Sequence, residues 1–372
     1  MECKKCLFKS GDCEELNFDS EGICNFCRKY EEQENLFNMT YPHRDTEFQK
    51  IIDKLKRDGR GKKYDTILGV SGGVDSSYLA LKLKESGIRT LLYHYDNGWN
   101  SELAVSNIQK MSLRLGFDLY TIVVDWEEFR DIQLSYLKAG VIDIEAITDH
   151  SAAFATLKVA RKFNVKNIVS GNNFVTESVL PKSWIYPNKG DWYNLRSIHS
   201  KFGKIPISTV PVNNLVNHLF FKFLFKAHWY YPLDFVPYKK ETVKKELIEK
   251  LDWKDYGGKH YESIWTRFYQ GYFLPKRYGI DKRKAHLSNL INSNQISKVE
   301  AEKLIKQEIY PEMLLKQDKE FVLKKFGIIE NELNDLIQLP KTSHFEFDYM
   351  VPFARRYFLL KPFIKLKNIF SK

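Results

Sequence analysis

The sequence of 372 residues contains five cysteines, and all of them lie within the first 27 residues. The rest of the chain therefore has no thiolate to act as a nucleophile or to hold a metal cluster. This absence excludes glutamine hydrolysis by a cysteine nucleophile outside the amino-terminal segment. The chain begins Met1-Glu2-Cys3, so removal of the methionine would not expose the amino-terminal cysteine nucleophile that such glutaminases use.

Long hydrophobic runs are also scarce. The longest, residues 215–225, is interrupted by polar and basic side chains, so it is too short and too polar to span a bilayer. The first residues lack the apolar core of a signal peptide. We therefore expect a cytoplasmic protein, and in that reducing compartment cysteines hold metal more often than they form disulfides.

The overall composition indicates a globular protein with an acidic partner. Hydrophobic residues make up 43% of the chain and charged residues 28%, which is typical of a chain that buries a core. The formal net charge of +11 favours nucleic acid, a nucleotide-activated sugar, an anionic membrane surface or an acidic protein. Charge alone does not choose among these partners.

Four of the cysteines form two closely spaced pairs. Cys3 and Cys6 are separated by two residues, as are Cys24 and Cys27, and seventeen residues lie between the pairs. This spacing predicts a four-thiolate structural zinc site in a zinc-ribbon-like module, with an iron–sulfur cluster as the alternative. Metal binding would supply much of the folding energy of so short a segment. Cys13 is a spare or substitute ligand in this interpretation.

A second motif follows an apolar, β-branched segment at residues 64–70. It reads Ser-Gly-Gly-Val-Asp-Ser-Ser over residues 71–77 and predicts a strand, a tight turn and a helix. A helix N-terminus attracts phosphate, and Gly72 and Gly73 allow the main chain to approach an anion closely. The motif is not a Walker A sequence, because no Gly-Lys-Ser/Thr follows at the required spacing.

Beyond this motif, strands and helices alternate. We predict strands at residues 66–70, 90–95, 120–124 and 167–170, and helices at 76–86, 101–115, 127–137 and 151–163. This order predicts an α/β fold with a parallel sheet covered by helices on both faces. Ligands bind beyond the carboxyl ends of the strands in such sheets. Asp96, Asn97, Gly171 and Asn172 fall at such ends and are candidate nucleotide contacts.

The chain divides into four predicted regions. These are a cysteine-rich module (1–38), a domain that contains the 71–77 motif (39–238), a helical substrate or partner region (239–340) and a basic amphipathic tail (341–372). Residues 181–237 are irregular and aromatic, which indicates either a substrate pocket or a packed excursion. The tail either lies on an anionic membrane surface or forms a solvated terminal helix.

The 71–77 loop resembles the pyrophosphate loop (PP-loop) of the N-type ATP pyrophosphatases, whose signature is Ser-Gly-Gly-X-Asp-Ser. The resemblance implies a HUP-like sheet and cleavage of ATP between its α- and β-phosphates. Members of this superfamily activate a carbonyl oxygen as an adenylate, and ammonia or a sulfur donor then displaces AMP. The expected ATP-binding residues of the loop are Ser71, Gly72, Gly73, Val74, Asp75, Ser76 and Ser77, with Ser71, Asp75 and Ser76 catalytic.

Residues 253–263, 265–275 and 278–291, together with the loop and the cysteine pairs, resemble the N-acetyl sugar amidotransferases of bacterial surface-polysaccharide pathways. The resemblance runs from Cys3 to about Lys303. It implies conversion of an acetamido group on a nucleotide-activated sugar into an acetamidino group. It also implies ammonia from a separate glutaminase with a synthase-like companion subunit.

The remaining site residues follow from charge and position. Asp75 is the expected Mg²⁺ ligand, and Asp149 is either a second one or the cap of the following helix. The candidate substrate contacts are Lys259, His260, Glu262, Arg267, Lys282 and Arg283. Lys282 and Arg283 form a basic cluster together with Lys284 and His286. The alternative for each of these residues is a charged surface without a role in binding.

Two other functions remain open at this stage. One is a PP-loop tRNA-modifying enzyme, either a thiolase or a lysidine-synthase-like protein, although such thiolases need cysteines inside the ATP-binding domain. The other is a zinc-module scaffold with a degenerate nucleotide site, which the intact loop signature opposes. Nucleic acid is therefore not an expected partner.

Overall fold

The computed structural model describes residues 1–258 and 261–350. One five-stranded sheet lies at its centre, all strands pair in parallel, and their order is β3-β2-β1-β4-β5. The predicted α/β class is confirmed. The strands are β1 (Thr66–Gly69), β2 (Thr90–Asp96), β3 (Leu119–Val123), β4 (Asn167–Val169) and β5 (His228–Tyr230).

Helices cover both faces of the sheet and form most of the carboxyl-terminal region. Those before β4 are α1 (Asn25–Thr40), α2 (Arg44–Asp58), α3 (Val74–Glu85), α4 (Glu102–Leu115), α5 (Trp126–Ala139) and α6 (Ala146–Lys162). Those after β4 are α7 (Phe174–Glu177), α8 (Trp192–Phe202), α9 (Leu215–Leu219), α10 (Lys240–Leu251), α11 (Ile264–Phe268), α12 (Leu274–Tyr278), α13 (Arg283–Asn292), α14 (Lys298–Ile305), α15 (Glu312–Phe326) and α16 (Glu330–Gln338). Short π-helical segments (Phe220–Phe225, Tyr269–Phe273) and 3₁₀ turns (Lys182–Trp184, Pro232–Phe235, His344–Glu346) complete the described chain.

The four predicted strands and the helices between them are present, with ends shifted by a few residues. The largest shift is in α6, which begins at Ala146 instead of Ser151. The sequence prediction missed β5, a strand of three residues at the edge of the sheet. So short a segment, His-Trp-Tyr, cannot display the alternation that identifies a strand.

The carboxyl-terminal helices belong to two cores. Val243 and Leu247 of α10 pack with Leu79 of α3 against the sheet, so α10 is part of the α/β core. Trp265 of α11 and Phe326 of α15 pack instead in a second core beside α5. The region expected as 239–340 is therefore packed onto the sheet domain along its length.

The cysteine-rich segment packs on the same body. Its buried residue Phe8 and the paired cysteines share a cluster with Trp184 and with Ala285 of α13. The Lys298 ammonium donates to the Cys3 carbonyl at 2.7 Å. Helix α1 continues to Thr40, past the expected module boundary at residue 38.

None of the helices within residues 1–258 and 261–350 combines the length and the apolarity needed to cross a bilayer. The membrane interpretation of the tail concerns residues 351–372, which lie outside the described residues.

Candidate functional site

The 71–77 loop joins β1 to α3 and depends on a glycine at its second position. Gly72 has a φ of +77°, and a Cβ there would lie 2.4 Å from the Ala104 carbonyl oxygen. Any side chain would therefore both strain the backbone and collide with α4. The Gly72 carbonyl accepts a hydrogen bond from the Trp253 indole at 2.9 Å, which fixes the turn from the opposite side.

The loop leads into an uncapped helix N-terminus. Gly73 is the residue before α3 and carries no capping side chain. The first intrahelical bond runs from the Ser77 N–H to the Gly73 carbonyl at 3.1 Å, so the N–H groups of Asp75 and Ser76 precede it. These first-turn N–H groups and the positive end of the helix dipole form an anion-binding arrangement.

The segment after β4 lies directly against this N-terminus. A Cβ on Gly171 would come within 2.9 Å of the Ser76 nitrogen, so only glycine permits the observed approach. The exposed neighbour Asn172 accepts a hydrogen bond from the Ser170 hydroxyl at 2.9 Å. The structure thus brings together two segments that were predicted to bind the nucleotide, namely those that follow the carboxyl ends of β1 and β4.

The Asp75 carboxylate is half-buried and is oriented by two neighbours. The Tyr238 hydroxyl and the Asn173 amide both donate to its Oδ1 atom, the amide at 3.4 Å. Burial, reinforced by the adjacent carboxylate, raises the pKa of Tyr238, which keeps this hydroxyl a donor. The sequence prediction missed Tyr238, because nothing in its local pattern marks it as a neighbour of the loop.

Asp96 and Asn97 shape the turn that follows β2. Asp96 Oδ1 accepts from the Gly98 N–H at 2.8 Å and from the Asn100 amide at 2.9 Å. The buried Asn97 side chain accepts from the Trp99 N–H at 3.3 Å. Both predicted residues therefore lie at the expected strand end, and their side-chain oxygens already accept hydrogen bonds from the protein.

The segment that precedes α11 is attached to the same edge. The Ser101 N–H donates to the Glu262 carbonyl at 2.9 Å, and the Ile264 N–H donates to the Trp99 carbonyl at 2.8 Å. Glu262 Oε1 lies 3.7 Å from the position that a Cβ on Gly73 would occupy. Glu262 thus reaches the 71–77 loop. Lys259 and His260 lie outside the described residues.

The Tyr256 hydroxyl completes the loop environment. It accepts a hydrogen bond from the Val74 N–H at 3.2 Å. Burial raises the pKa of Tyr256, so the hydroxyl is neutral. Trp253 and Tyr256 both belong to the segment 253–263 that carried the family resemblance, and their contacts with the loop give that segment a physical role.

Two of the predicted substrate-binding side chains are paired with other residues of the protein. Arg267 forms a buried bidentate ion pair with Asp318, at 2.6 and 2.8 Å. Arg283 pairs with Asp281 at 2.8 Å and donates to carbonyl groups that follow α14. The guanidinium groups are thus engaged within the protein, where they join α11 to α15 and α13 to the chain after α14.

Lys282 and Asp149 lie in a different group of charges. The exposed Asp149 carboxylate pairs with Lys189 at 2.9 Å, and Lys189 also pairs with the buried Asp143 at 2.6 Å. Because α6 begins at Ala146, Asp149 lies inside the helix and does not cap it. Lys282, just before α13, interacts electrostatically with Asp143, Asp149 and Lys189, and burial lowers its pKa.

The four paired cysteines converge at the buried base of the amino-terminal segment. Their sulfur atoms all lie within 4.8 Å of one another, and Cys6 Sγ and Cys24 Sγ are 3.5 Å apart. Zn–S bonds of about 2.3 Å would hold tetrahedral sulfur ligands about 3.8 Å apart. The residues therefore fit a single zinc ion, and the Cys6 and Cys24 N–H groups already donate to Cys3 Sγ.

Cys13 is outside this cluster. Its thiol is partly buried, and burial with the nearby Glu15 and Asp12 raises the pKa to about 12. Cys13 is therefore a protonated thiol, and the four remaining cysteines make a complete ligand set without it.

These elements define a parallel α/β protein with a PP-loop at the junction of β1 and α3. Its carboxyl-terminal part resembles one family: residues 262–358 match the model described as LPS biosynthesis protein WbpG-like, C-terminal domain. This match confirms the resemblance to proteins of surface-polysaccharide biosynthesis. It begins at Glu262, the residue that reaches the loop. No curated protein sequence matches the chain.

Several solved structures are similar to the chain. NMN synthetase from Francisella tularensis has 14% sequence identity and a TM-score of 0.35, covering 80% of this chain and 98% of its own. NH3-dependent NAD synthetase from Campylobacter jejuni, in complex with the nitrate ion, has 11% identity and a TM-score of 0.34, covering 77% and 97%. The U34-tRNA thiolase NcsA from Methanococcus maripaludis, with its [4Fe-4S] cluster, has 14% identity and a TM-score of 0.33, covering 82% and 89%. These scores are low, so the fold assignment depends on the chain's own sheet and loop.

Proposed function

We propose that the protein is an ATP-dependent amidotransferase of bacterial surface-polysaccharide biosynthesis. It converts an acetamido group of a nucleotide-activated sugar into an acetamidino group through an adenylated imidate, and releases AMP and pyrophosphate. The observation that carries the proposal is the glycine-dependent contact between Gly171 and Ser76, which encloses the N-terminus of α3. The family match over residues 262–358 supports the polysaccharide context.

The 71–77 loop is the proposed site of ATP. The first-turn N–H groups of α3 bind the phosphates, and the hydroxyls of Ser71 and Ser76 add donors. Asp75, which accepts a hydrogen bond from Tyr238, is the proposed Mg²⁺ ligand, since Mg²⁺ prefers one or two carboxylates together with phosphate oxygens. Magnesium, when bound, would neutralise negative charge on the phosphates.

The proposed reaction has two steps. The acetamido oxygen attacks the α-phosphorus of ATP, a new O–P bond forms, pyrophosphate leaves, and the acetamido N–H proton is released to solvent, which gives the neutral imidate. Ammonia then attacks the imidate carbon, and the C–O bond to AMP breaks with its electron pair on the phosphate. The helix N-terminus favours the first step, because negative charge increases on the leaving pyrophosphate.

The sugar in this proposal contacts the segment before α11. Glu262 is placed at the loop, and Lys282 offers a cationic side chain without a protein ion pair within residues 1–258 and 261–350. Lys259 and His260 remain proposed contacts. Arg267 and Arg283 act through the fold, because their charges are already paired.

Ammonia comes from a partner in this proposal. Residues 28–372 contain no cysteine that could act as a glutaminase nucleophile. We propose that a separate glutaminase subunit, together with its synthase-like companion, supplies the ammonia. We propose that the protein works in the cytoplasm, with the basic tail as a point of contact with the membrane surface.

The test is ATP cleavage with ammonium chloride and a panel of nucleotide-linked N-acetyl sugars, with AMP resolved from ADP. The proposal predicts AMP and pyrophosphate only with a particular sugar, together with a sugar product about one mass unit lighter, since oxygen is replaced by NH. AMP formation stimulated by tRNA instead would identify an RNA-modifying enzyme. ADP as the product would contradict the proposal.

A further inference from the structure

A group of charged side chains at the start of α6 has no role in the ATP site. Its members lie around the start of α6 and include two carboxylates paired with one lysine, a second lysine and a third acidic side chain. We call it the acid–lysine cluster, and its residues are Asp143, Glu145, Asp149, Lys189 and Lys282.

The fold places this cluster at the edge of the sheet that carries the loop. Helix α6 precedes the parallel strand β4, so its N-terminus lies at the carboxyl ends of the strands. The Tyr95 hydroxyl, near the end of β2, donates to Ser151 Oγ at 2.6 Å, which joins the first turns of α6 to that edge. Glu145, the residue before α6, therefore lies on the side of the sheet where ATP is proposed to bind.

A continuous chain of contacts connects Glu145 to the loop. The Thr266 hydroxyl contacts both Glu145 Oε2, at 2.8 Å, and Ser263 Oγ, at 3.0 Å. Ser263 directly follows Glu262, whose carboxylate lies at Gly73. Glu145 is thus two side-chain contacts away from the segment that covers the loop.

Two polar groups of the cluster make no hydrogen bond or ion pair within residues 1–258 and 261–350. These are the buried Oε1 atom of Glu145 and the ammonium of the half-buried Lys282. Buried polar groups are nearly always paired in folded proteins, so the unpaired Glu145 Oε1 indicates a site that a ligand completes. In contrast, Lys189 forms ion pairs with both Asp143 and Asp149.

We infer that Glu145 transfers the proton in the amination step, contacting the ammonia nitrogen that attacks the imidate. This inference rests on the proposed function. The carboxylate takes one proton from the attacking nitrogen and returns it to the sugar-side nitrogen. The C–N bond forms, the C–O bond breaks, and AMP leaves with the electron pair, so that imidate and ammonia become the amidinium ion and AMP.

The electrostatics of the cluster suit this role. Burial, with the charges of Asp149 and Asp143, raises the pKa of Glu145 to about 7, while Thr266 and Lys189 oppose the rise. Burial also lowers the pKa of Lys282. A carboxyl group that titrates near neutral pH both accepts and returns a proton readily.

The experiment separates the two half-reactions. Sugar-dependent exchange of labelled pyrophosphate into ATP, without ammonia, measures adenylation, and amidine formation at constant free ammonia measures amination. For Glu145→Gln we expect exchange within about twofold of wild type and amidine formation lower by a factor of about 10² to 10⁴, the usual contribution of general acid–base catalysis. The matched control is Glu312→Gln, an exposed first-turn glutamate of α15, and it should leave both rates unchanged.

The pH profile gives an independent measurement. Wild-type amidine formation at constant free ammonia should rise with pH around a midpoint near 7. Thr266→Val removes a donor to the Glu145 carboxylate and should move that midpoint to higher pH. Wild-type amination in Glu145→Gln, or an equal loss of both half-reactions, would overturn the inference. Absence of exchange in the wild type would instead contradict the proposed function itself.

Discussion

Gly171 lies against the backbone of Ser76, and a Cβ at residue 171 would come within 2.9 Å of the Ser76 nitrogen. This contact joins the end of β4 to the first turn of α3. A methyl group at residue 171 must push the two segments apart at the point where phosphate is proposed to bind.

We therefore predict that Gly171→Ala lowers sugar-dependent AMP formation by about 100-fold, the typical effect of a small displacement of binding groups. The protein should remain folded, with overpacking costing about 1–3 kcal/mol. Gly190→Ala is the control, because no atom lies within 4 Å of its added Cβ. Equal AMP-forming activity in the two variants would show that the close approach is not needed.

Asp75 and Tyr238 should differ in the size of their effects. Asp75→Ala removes the proposed Mg²⁺ ligand, so we expect turnover to be abolished while the fold and zinc content are retained. Ser71→Ala, which removes a loop hydroxyl, should do the same. Tyr238→Phe removes only a donor that orients Asp75, so it should lower turnover less and raise the Mg²⁺ concentration needed for half-maximal rate. Normal turnover of Asp75→Ala would refute the assigned role of the loop.

Zinc binding should distinguish the clustered cysteines from Cys13. We predict that Cys24→Ser lowers the bound zinc and the thermal unfolding midpoint, because metal binding supplies folding energy to this segment. Cys13→Ser should retain one zinc per chain, since its sulfur is outside the cluster. Metal analysis of the two purified variants, with calorimetry, decides the matter. Loss of zinc in Cys13→Ser would make Cys13 a ligand.

The Arg267–Asp318 ion pair should act on stability. Both side chains are about nine-tenths buried, and Tyr310 also donates to Asp318. Removing one member leaves a buried charge without its partner, so Arg267→Ala should cost about 3–5 kcal/mol of unfolding free energy. Asp318→Ala should cost a similar amount, and the double variant should cost less than the sum. A fully stable Arg267→Ala with a raised sugar KM would instead favour the substrate role.

Glu145 should give stability a pH dependence of defined sign. Its pKa is raised in the folded state, from 4.5 to about 7, so its contribution is fully present below about pH 4.5 and is lost as pH rises through about 7. Glu145→Gln carries no titratable group there. The variant should match wild type at pH 4 and be more stable at pH 8 by up to about 3 kcal/mol. Denaturant unfolding at the two pH values measures this difference.

Much of the fold could be predicted from the sequence because it depends on local patterns. The β1–loop–α3 unit combines a β-branched run, two glycines and a helix start. The spacing of the cysteine pairs likewise predicts that they share one site. Edge strand β5 could not be predicted, because its three residues gain their conformation from pairing with β4. Propensity in so short a segment is overridden by tertiary contacts.

The site was predictable only where its residues adjoin the motifs. Tyr238 contacts Asp75 of the loop, and Glu145 contacts Thr266, each from a distant part of the chain. These contacts depend on packing that the sequence pattern does not encode. The charge of Arg267 predicts a contact with the substrate. The carboxylate that it meets is Asp318 of the same chain, 51 residues away.

The most direct test of the account follows the acetamido oxygen. The substrate would carry a heavy oxygen isotope in its acetamido carbonyl, and the products would be separated after turnover with ATP and ammonia. The account predicts that the label leaves the sugar and appears in the phosphate of AMP, since the C–O bond breaks after adenylation. Label that stays in the sugar, or that appears in inorganic phosphate with ADP as the nucleotide product, would contradict adenylation of the amide.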